Sequence, residues 1–326
     1  MVRVSETLGE LGEAAVLRRI FPRLPDAAVA LIGPGDDAAV LAAPDGRYVV
    51  TTDTMVHGPD FRLAWSTPHD LGWKAAATNL SDIAAMGAVP TALVIAVAAP
   101  PDTPVSMLEG LADGLRDACA ELAPGCGVVG GDLSVSATLV IAVTAFGDLQ
   151  GRDAVLRSGA RVGDTVAVSG TLGLAAQGLA LLFERALDEE GAPDAARARD
   201  LRAEFPAALD AQLTPRPPLA DGIAAAASGA TSMLDLSDGL ALDARRLAEA
   251  SGVALDLSAS AVGSASALAG GEDHALLATF PATAVLPGGF RRIGVVREGS
   301  GLLVDGREFG ERGGWDPYED WNGGAG

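Results

Sequence analysis

Residues 29–54 read VALIGPGDDAAVLAAPDGRYVVTTDT, and the fold turns on whether the glycines at 33 and 35 open a helix or a turn between strands. Gly33-x-Gly35-x-x-Ala38, with Asp53 about 20 residues further on, has the form of a dinucleotide-binding fingerprint. That fingerprint requires a helix whose N-terminus faces the pyrophosphate. Here the stretch after Ala38 is cut off by Pro44, Pro44-Asp45-Gly46 is a turn signal, and residues 48–52 are β-rich. The segment therefore reads strand, turn, strand. Asp36 and Asp37 would also repel a pyrophosphate. What remains is a pair of adjacent carboxylates at a strand end, an arrangement that costs energy without a cation beside it.

Working outward, residues 69–86 read as a helix bounded by Pro68 on one side and Gly87 and Pro90 on the other. Residues 105–122 read as a second helix, flanked by β-rich apolar runs at 93–98 and 138–146. The pattern breaks at Gly147-Asp148-Leu149-Gln150-Gly151-Arg152, and a new unit starts at Asp164 with a strand (165–169), a turn (170–173) and a helix (174–183). Two domains, 1–148 and 149–326, are expected. Residues 184–204 are charged and Ala-rich and read as exposed helix and loop without chemistry.

The 326 residues carry a formal charge of -20, which opposes binding to a nucleic acid backbone. An acidic chain still accommodates nucleotide phosphates when metal ions stand between them and carboxylates. With 49% hydrophobic residues but no uninterrupted apolar run of membrane-spanning length, and no apolar leader at the N-terminus, a soluble cytoplasmic protein is expected. Cys119 and Cys126 fit neither a zinc nor a redox spacing and read as reduced thiols.

Acidic motifs recur along the chain, each with a plainer account beside it. Thr51-Thr52-Asp53-Thr54 offers hydroxyl, carbonyl and carboxylate oxygens suited to Mg²⁺, or is a strand-end turn. In Asn79-Leu80-Ser81-Asp82, the polar residues Asn79 and Asp82 share a helical face amid apolar neighbours. Gly130-Gly131-Asp132 joins a close-approach backbone to a carboxylate, or is a hairpin turn. Asp235-Leu236-Ser237-Asp238-Gly239 is not an EF-hand, since Arg246 stands where the loop's last Glu belongs; capping of the next helix by Ser237 or Asp238 is its alternative. Gly270-Gly271-Glu272-Asp273-His274 adds another acidic pair after a flexible turn. Ser169-Gly170-Thr171-Leu172-Gly173 looks like a phosphate loop, but the only lysine, Lys74, follows Trp73, so no Walker A motif exists and the loop reads as structural. His57, His69 and His274 are too scattered for a zinc cluster, and no G-x-S-x-G elbow is present.

Taken in order, GPGDDAAV (33–40), TTDT (51–54), NLSDIAAMGA (79–88), GGD (130–132), LRSGA (156–160), LDLSDGL (234–240) and GGEDH (270–274) resemble the thiamine-monophosphate kinase family, within the aminoimidazole ribonucleotide synthetase superfamily. The resemblance implies a two-domain α/β fold of α+β type: an N-terminal domain whose strands build a dimer-spanning β-barrel, and a C-terminal α/β domain closing over the nucleotide. It implies several Mg²⁺ ions held by Asp37, Thr51, Thr52, Asp53, Asp82, Asp132, Asp235 and Asp238, with Asp53, Asp82 and Asp132 acting in catalysis through metal and Arg157 adding fixed charge. Gly131, Asp132, Arg157 and Ser237 match nucleotide-contacting positions, and Asp60, Glu272 and Trp315 substrate-contacting ones. The implied substrates are ATP and thiamine monophosphate, in a homodimer without nucleic acid or membrane partners. Three features depart from the family pattern: Asp60-Phe61 stands in place of His-Phe, His274 in place of Tyr, and the segment between Asp256 and Gly270 is short. A superfamily enzyme activating a carbonyl oxygen, or a non-catalytic Mg-nucleotide sensor, are the competing readings.

Overall fold

In a computed structural model that describes residues 6–11, 13–32 and 39–315, the first half runs α1 (Leu8–Leu11), α2 (Glu13–Ile20), β1 (Ala30–Ile32), β2 (Val40–Leu41), β3 (Val49–Val56), α3 (Pro68–Ala85), β4 (Val89–Ala99), α4 (Val105–Leu122), β5 (Gly127–Val135) and β6 (Val140–Asp148). The second half follows with β7 (Thr165–Ser169), α5 (Leu174–Arg185), α6 (Ala195–Glu204), α7 (Pro206–Leu213), α8 (Leu219–Ala227), β8 (Ser232–Leu236), α9 (Leu240–Ser251), β9 (Ala254–Leu257), α10 (Ala259–Val262), α11 (Ala265–Ala269), β10 (Ala275–Phe280), β11 (Arg291–Arg297), β12 (Gly301–Val304) and β13 (Arg307–Glu308). Among the described residues no helix is long and apolar enough to cross a membrane.

Local chemistry fixes the ends of α3. Thr67 and Asp70 form a reciprocal capping box ahead of Pro68 in the first turn. At the other end Gly87, with φ +74°, closes a Schellman motif in which Gly87 N donates to Ala84 O and Ala88 N to Ile83 O. Between these ends the helix is buried on nearly every side, a state that its Gly72, Ala75-Ala76-Ala77 and Ala84-Ala85 make sterically possible. It packs on α4, β3, β4 and β6 on one side and on α7, α8 and β8 on the other. At the crossing with α4 the backbones touch: a Cβ on Gly72 would lie 2.0 Å from Leu111 O, and one on Gly114 2.0 Å from His69 O.

The four-stranded sheet has the order β3-β6-β4-β5, antiparallel except for the parallel β4-β5 pair. Its inner face, with Ile95, Val97, Ile141, Val143 and Ala145, packs in one core with α3 and α4. The second sheet has the order β13-β12-β9-β11-β7-β10-β8. Its strands β7, β8 and β10 are buried throughout, with α9 over Leu234, Leu236 and Leu277 on one face and Met233, Leu276 and Phe280 on the other, where Ala85 of α3 joins them.

Two expectations from sequence meet a different arrangement. Residues 29–52 do not form one strand pair: β1 pairs with β2, while β3 joins β6 in the four-stranded sheet. Gly130-Gly131-Asp132 is not a hairpin turn but lies within β5, where Gly131 passes so close to β4 that a Cβ would sit 2.0 Å from Ile95 O. The four-stranded sheet is open, ending at β3 and β5, and no closed barrel forms among the described residues of one chain.

The crossing of α3 and α4 gives a test of sign. Helix propensity alone predicts that Gly72→Ala or Gly114→Ala stabilises by about 1 kcal/mol. Backbone overlap reverses this, and each substitution is expected to destabilise by about 1–3 kcal/mol or more, measured by chemical denaturation.

Candidate functional site

The site forms where α3 passes between the two sheets. From β3, Thr51 donates through Oγ1 to Asp82 Oδ2 at 2.9 Å, and Asp53 N donates to Asn79 Oδ1 at 3.2 Å. Asn79 is buried and spends its amide hydrogens on Ala75 O, 2.9 Å away, so its orientation is fixed from both sides. Asp82, three residues on, is thereby presented to β8. There the alternation of the strand turns Leu234 and Leu236 to α9 and Asp235 toward α3, buried at 5% exposure. Asp82 and Asp235 come within hydrogen-bonding contact of each other.

Burial, reinforced by like charge, sets the electrostatics. Burial, followed by the carboxylates of Asp235 and Asp53, pushes Asp82 up to about 7 against the smaller opposing effect of the Thr51 hydroxyl. Asp53 opens to solvent, yet it too is raised, first by desolvation and then by Asp235 and Asp238. Asp243, on α9, is pushed up to about 6 by burial and by Asp238. Two basic side chains border the cluster. His274 Nδ1 lies 3.3 Å from Asp235 Oδ2, and Arg246 bridges Asp238 (2.6 Å) and Asp243 (2.7 Å). Ser237 and Asp238 do not cap α9; its N-cap is Gly239, and Asp238 N instead donates to Asp243 Oδ2.

Beside the carboxylates lies a second group of polar residues. Glu272 accepts from Lys74 of α3 and, at 2.6 Å, from Gln212 of α7. Burial would raise the Glu272 carboxyl, but the charge and hydrogen bond of Lys74, aided by His274 and Gln212, hold it below the usual carboxylate range. Asp60 is close enough to feel both members of the pair; its own carboxyl is raised by burial in spite of a 2.7 Å bond from Val56 N. Glu272 and His274 have φ of +67° and +49°, a left-handed backbone that non-glycine residues adopt only under constraint. Between them Asp273 accepts from the backbone N–H groups of Gly173, Leu174 and Ala175. The glycine loop at 170–173 thus gives its donors to a carboxylate of the protein, which agrees with its reading as a structural turn.

Among the sequence-predicted residues, the fold brings together Thr51, Asp53, Asp82, Asp235 and Asp238, and next to them Asp60 and Glu272. Trp315 N donates to Asp238 O at 3.0 Å, which anchors the tail residue at the edge of the cluster. The Thr52 hydroxyl is committed to Val143 O at 2.9 Å. Ser237 is half-buried, its carbonyl taken by Glu272 N, and Arg157 is an exposed loop residue whose carbonyl accepts from Ser251. Gly131 and Asp132 stand apart: β6 and β4 separate β5 from β3, about 14 Å at three strand spacings. Asp37 lies outside the described residues. Among those described, no three acidic, histidine or cysteine side chains converge closely enough to chelate an ion by themselves. Lys74 and Gln212 escaped the sequence reading. A single lysine in a long chain, set inside an alanine-rich buried helix, was a usable signal; Gln212 carried none.

Residues 35–149 match the family described as AIR synthase related protein, N-terminal domain, so that part of the fold is of the AIR synthase-related class. The chain is 45% identical to the thiamine-monophosphate kinase of Mycobacterium tuberculosis H37Rv, over 96% of this chain and 94% of that one. The crystal structure of thiamine-monophosphate kinase from Stenotrophomonas maltophilia K279a superposes with a TM-score of 0.75 at 32% identity, covering 91% of this chain and 98% of that one. A structure of AaThiL complexed with AMPPCP and TMP gives a TM-score of 0.70 at 32% identity over 95% of this chain and 98% of that one. The chain belongs to the thiamine-monophosphate kinase family.

The raised carboxyl of Asp82 has a consequence for stability. In metal-free protein the native state keeps a proton that the unfolded chain, with an ordinary carboxyl near about 3.9, has released. Stability should therefore fall as pH rises from about 4 to about 7. Thermal unfolding in a chelator at about pH 5.5 and pH 7.5 is expected to show the lower Tm at the higher pH, with a smaller difference in Asp82→Asn. Equal pH dependence in both proteins would exclude Asp82 as the source.

Proposed function

We propose that this chain transfers the γ-phosphoryl group of ATP to the phosphate of thiamine monophosphate, giving thiamine diphosphate and ADP, as a homodimer in the cytoplasm. The observation that carries the reading is the convergence of Asp53, Asp82, Asp235 and Asp238, where burial and neighbouring carboxylates disfavour the charged form of Asp53 and Asp82, in a chain 45% identical to a thiamine-monophosphate kinase. The buried free thiols Cys119 and Cys126 accord with a reducing compartment.

The acceptor phosphate has a second pKa of about 6 and is mostly ionised at neutral pH, so no side chain is needed as a base. The obstacle is repulsion between anions, roughly 4 kcal/mol for unit charges 4 Å apart at an effective dielectric of 20. The donors present are hard oxygens, a set that fits Mg²⁺: Asp53, Asp82, Asp235, Asp238, Thr51, the Thr52 carbonyl and Asp37 would hold it, with phosphate oxygens completing the shell. Magnesium held by these residues would supply the positive charge that offsets the repulsion. Arg157 adds a fixed charge toward the nucleotide, and Ser237 a hydroxyl. Asp60, Glu272 and Trp315 receive the ring end of thiamine, a cationic aromatic that carboxylates attract and an indole stacks upon. Residues 1–148 then form the metal, nucleotide and dimerisation part, and 149–326 the part that completes the site.

The dimer reading is supported by the outer face of the four-stranded sheet. Val50 there is 58% exposed, next to the half-buried Val94, Val140 and Phe146. Such a face, bounded by the end strands β3 and β5, invites pairing with a second copy. Closing two sheets into one barrel sets β5 of one copy beside β3 of the other. Gly131 and Asp132 would thereby reach the site that contains Asp53 of the second copy, which accounts for their separation within one chain.

Incubation of the protein with Mg-ATP and thiamine monophosphate is expected to yield thiamine diphosphate and ADP in equal amounts; folded, metal-loaded protein that forms none would refute the assignment. Asp53→Asn and Asp82→Asn should each lower kcat by at least about 100-fold with Tm preserved. Mixing inactive Asp53→Asn with inactive Asp132→Asn should restore up to about a quarter of wild-type activity, because half the molecules are mixed dimers with one intact site. No recovery would show that Asp132 does not act across the interface.

A further inference from the structure

We propose that Lys74 and Gln212 are positioning residues that hold Glu272 as a one-sided, ionised hydrogen-bond acceptor for the exocyclic amine of the substrate's aromatic ring, an inference that rests on the substrate role of Glu272 proposed above. Both donors converge on one oxygen: Lys74 Nζ and Gln212 Nε2 each bond to Glu272 Oε2. Among the described residues no hydrogen bond uses Oε1. The exposure of the pair is equally one-sided, with 7% for the Lys74 side chain and 35% for that of Glu272. The ammonium is sealed in α3, and the Glu272 side chain keeps part of its surface open.

Gln212 gives independent support. Its Oε1 is buried with no hydrogen-bond partner among the described residues, although the side chain is 95% buried. Turning the amide over would free Nε2 and set Oε1 against the Glu272 carboxylate, so the amide is committed to Glu272 at the expense of its own acceptor. A third restraint is the left-handed backbone of Glu272, pinned by its N–H to Ser237 O at 2.7 Å.

The chemistry of the ligand follows. An ionised carboxylate only accepts hydrogen bonds, whereas a protonated one also donates. The charged groups facing Glu272 are Lys74 from α3, Asp60 from the loop after β3 and His274 from its own loop. With its acceptor oxygen held ionised, the subsite favours a heteroaromatic ring carrying an exocyclic N–H donor over one in which oxygen replaces the amine.

The test compares wild type with Lys74→Met, Lys74→Arg and Gln212→Leu, each first checked for folding by thermal unfolding. The probes are thiamine and its analogue with the ring amine replaced by oxygen. Lys74→Met is expected to raise the thiamine Kd at least about 10-fold and to shrink the preference for amine over oxygen, with the KM for ATP within about twofold of wild type. Lys74→Arg should recover part of both. The change should grow as pH is lowered from about 8 to 6, since without Lys74 the largest opposition to burial is gone and Glu272 takes up a proton earlier. Unchanged thiamine affinity, or an undiminished preference, in folded Lys74→Met overturns the proposal. Carbon-13 NMR titration of the Glu272 carboxyl tests it without any ligand: expected is ionisation below the ordinary value in wild type and above it in Lys74→Met, and coincident curves would overturn it. Should wild type bind neither thiamine nor its monophosphate, the substrate reading falls, and the NMR curves alone decide whether the clamp exists.

Discussion

The close approach of α3 to its neighbours constrains everything built on it. A helix that touches α4 backbone to backbone and is enclosed by both sheets cannot slide or turn without opening two cores. Its polar residues inherit that rigidity. Lys74 and Asp82 are eight residues apart, which is about 12 Å along a helix. One rigid element therefore sets the distance between the end of the site that meets the ring and the end that meets the phosphates. Asn79, tied to Asp53 and to Ala75, locks β3 to the same frame.

The segment 271–274 answers this helix from the other half of the chain. Its successive side chains serve three separate tasks: Glu272 meets Lys74, Asp273 satisfies the N-terminal N–H groups of α5, and His274 meets Asp235. Residues on one extended strand would alternate between two faces only. Two left-handed residues around Asp273 give the three directions needed, and a strain of about 1–3 kcal/mol for each is carried by the contacts that result.

Much of this was legible in the sequence, for identifiable reasons. Helices α3 and α4 announce themselves through proline and glycine boundaries and through periodicity, and β7 through an unbroken apolar run. The acidic motifs were each ambiguous, but carboxylates at the ends of apolar strands are costly enough to be informative together. What stayed hidden depends on tertiary contact. A glycine pair followed by aspartate has the composition of a turn, so nothing local reveals that Gly130-Gly131-Asp132 runs through a strand whose glycine clears the backbone of β4. Pairing partners are similarly non-local: the turn at 44–46 points β3 back to the strand before it, whereas β3 joins β6, about 90 residues on. Gln212 matters only because α7 folds back over α3, and the register of that contact is written in no single segment.

Placing the chain's only lysine in the interior also shapes its exterior. Every basic side chain at the surface other than histidine is a guanidinium, charged at any pH the protein survives, and no lysine ammonium is available there. Between the range where histidine titrates and the range where tyrosine does, the surface charge is therefore nearly constant, and electrophoretic mobility should be flat across it. Reagents directed at lysine amines likewise find their target enclosed, so acylation of Lys74 would report the opening of α3 rather than the labelling of a surface.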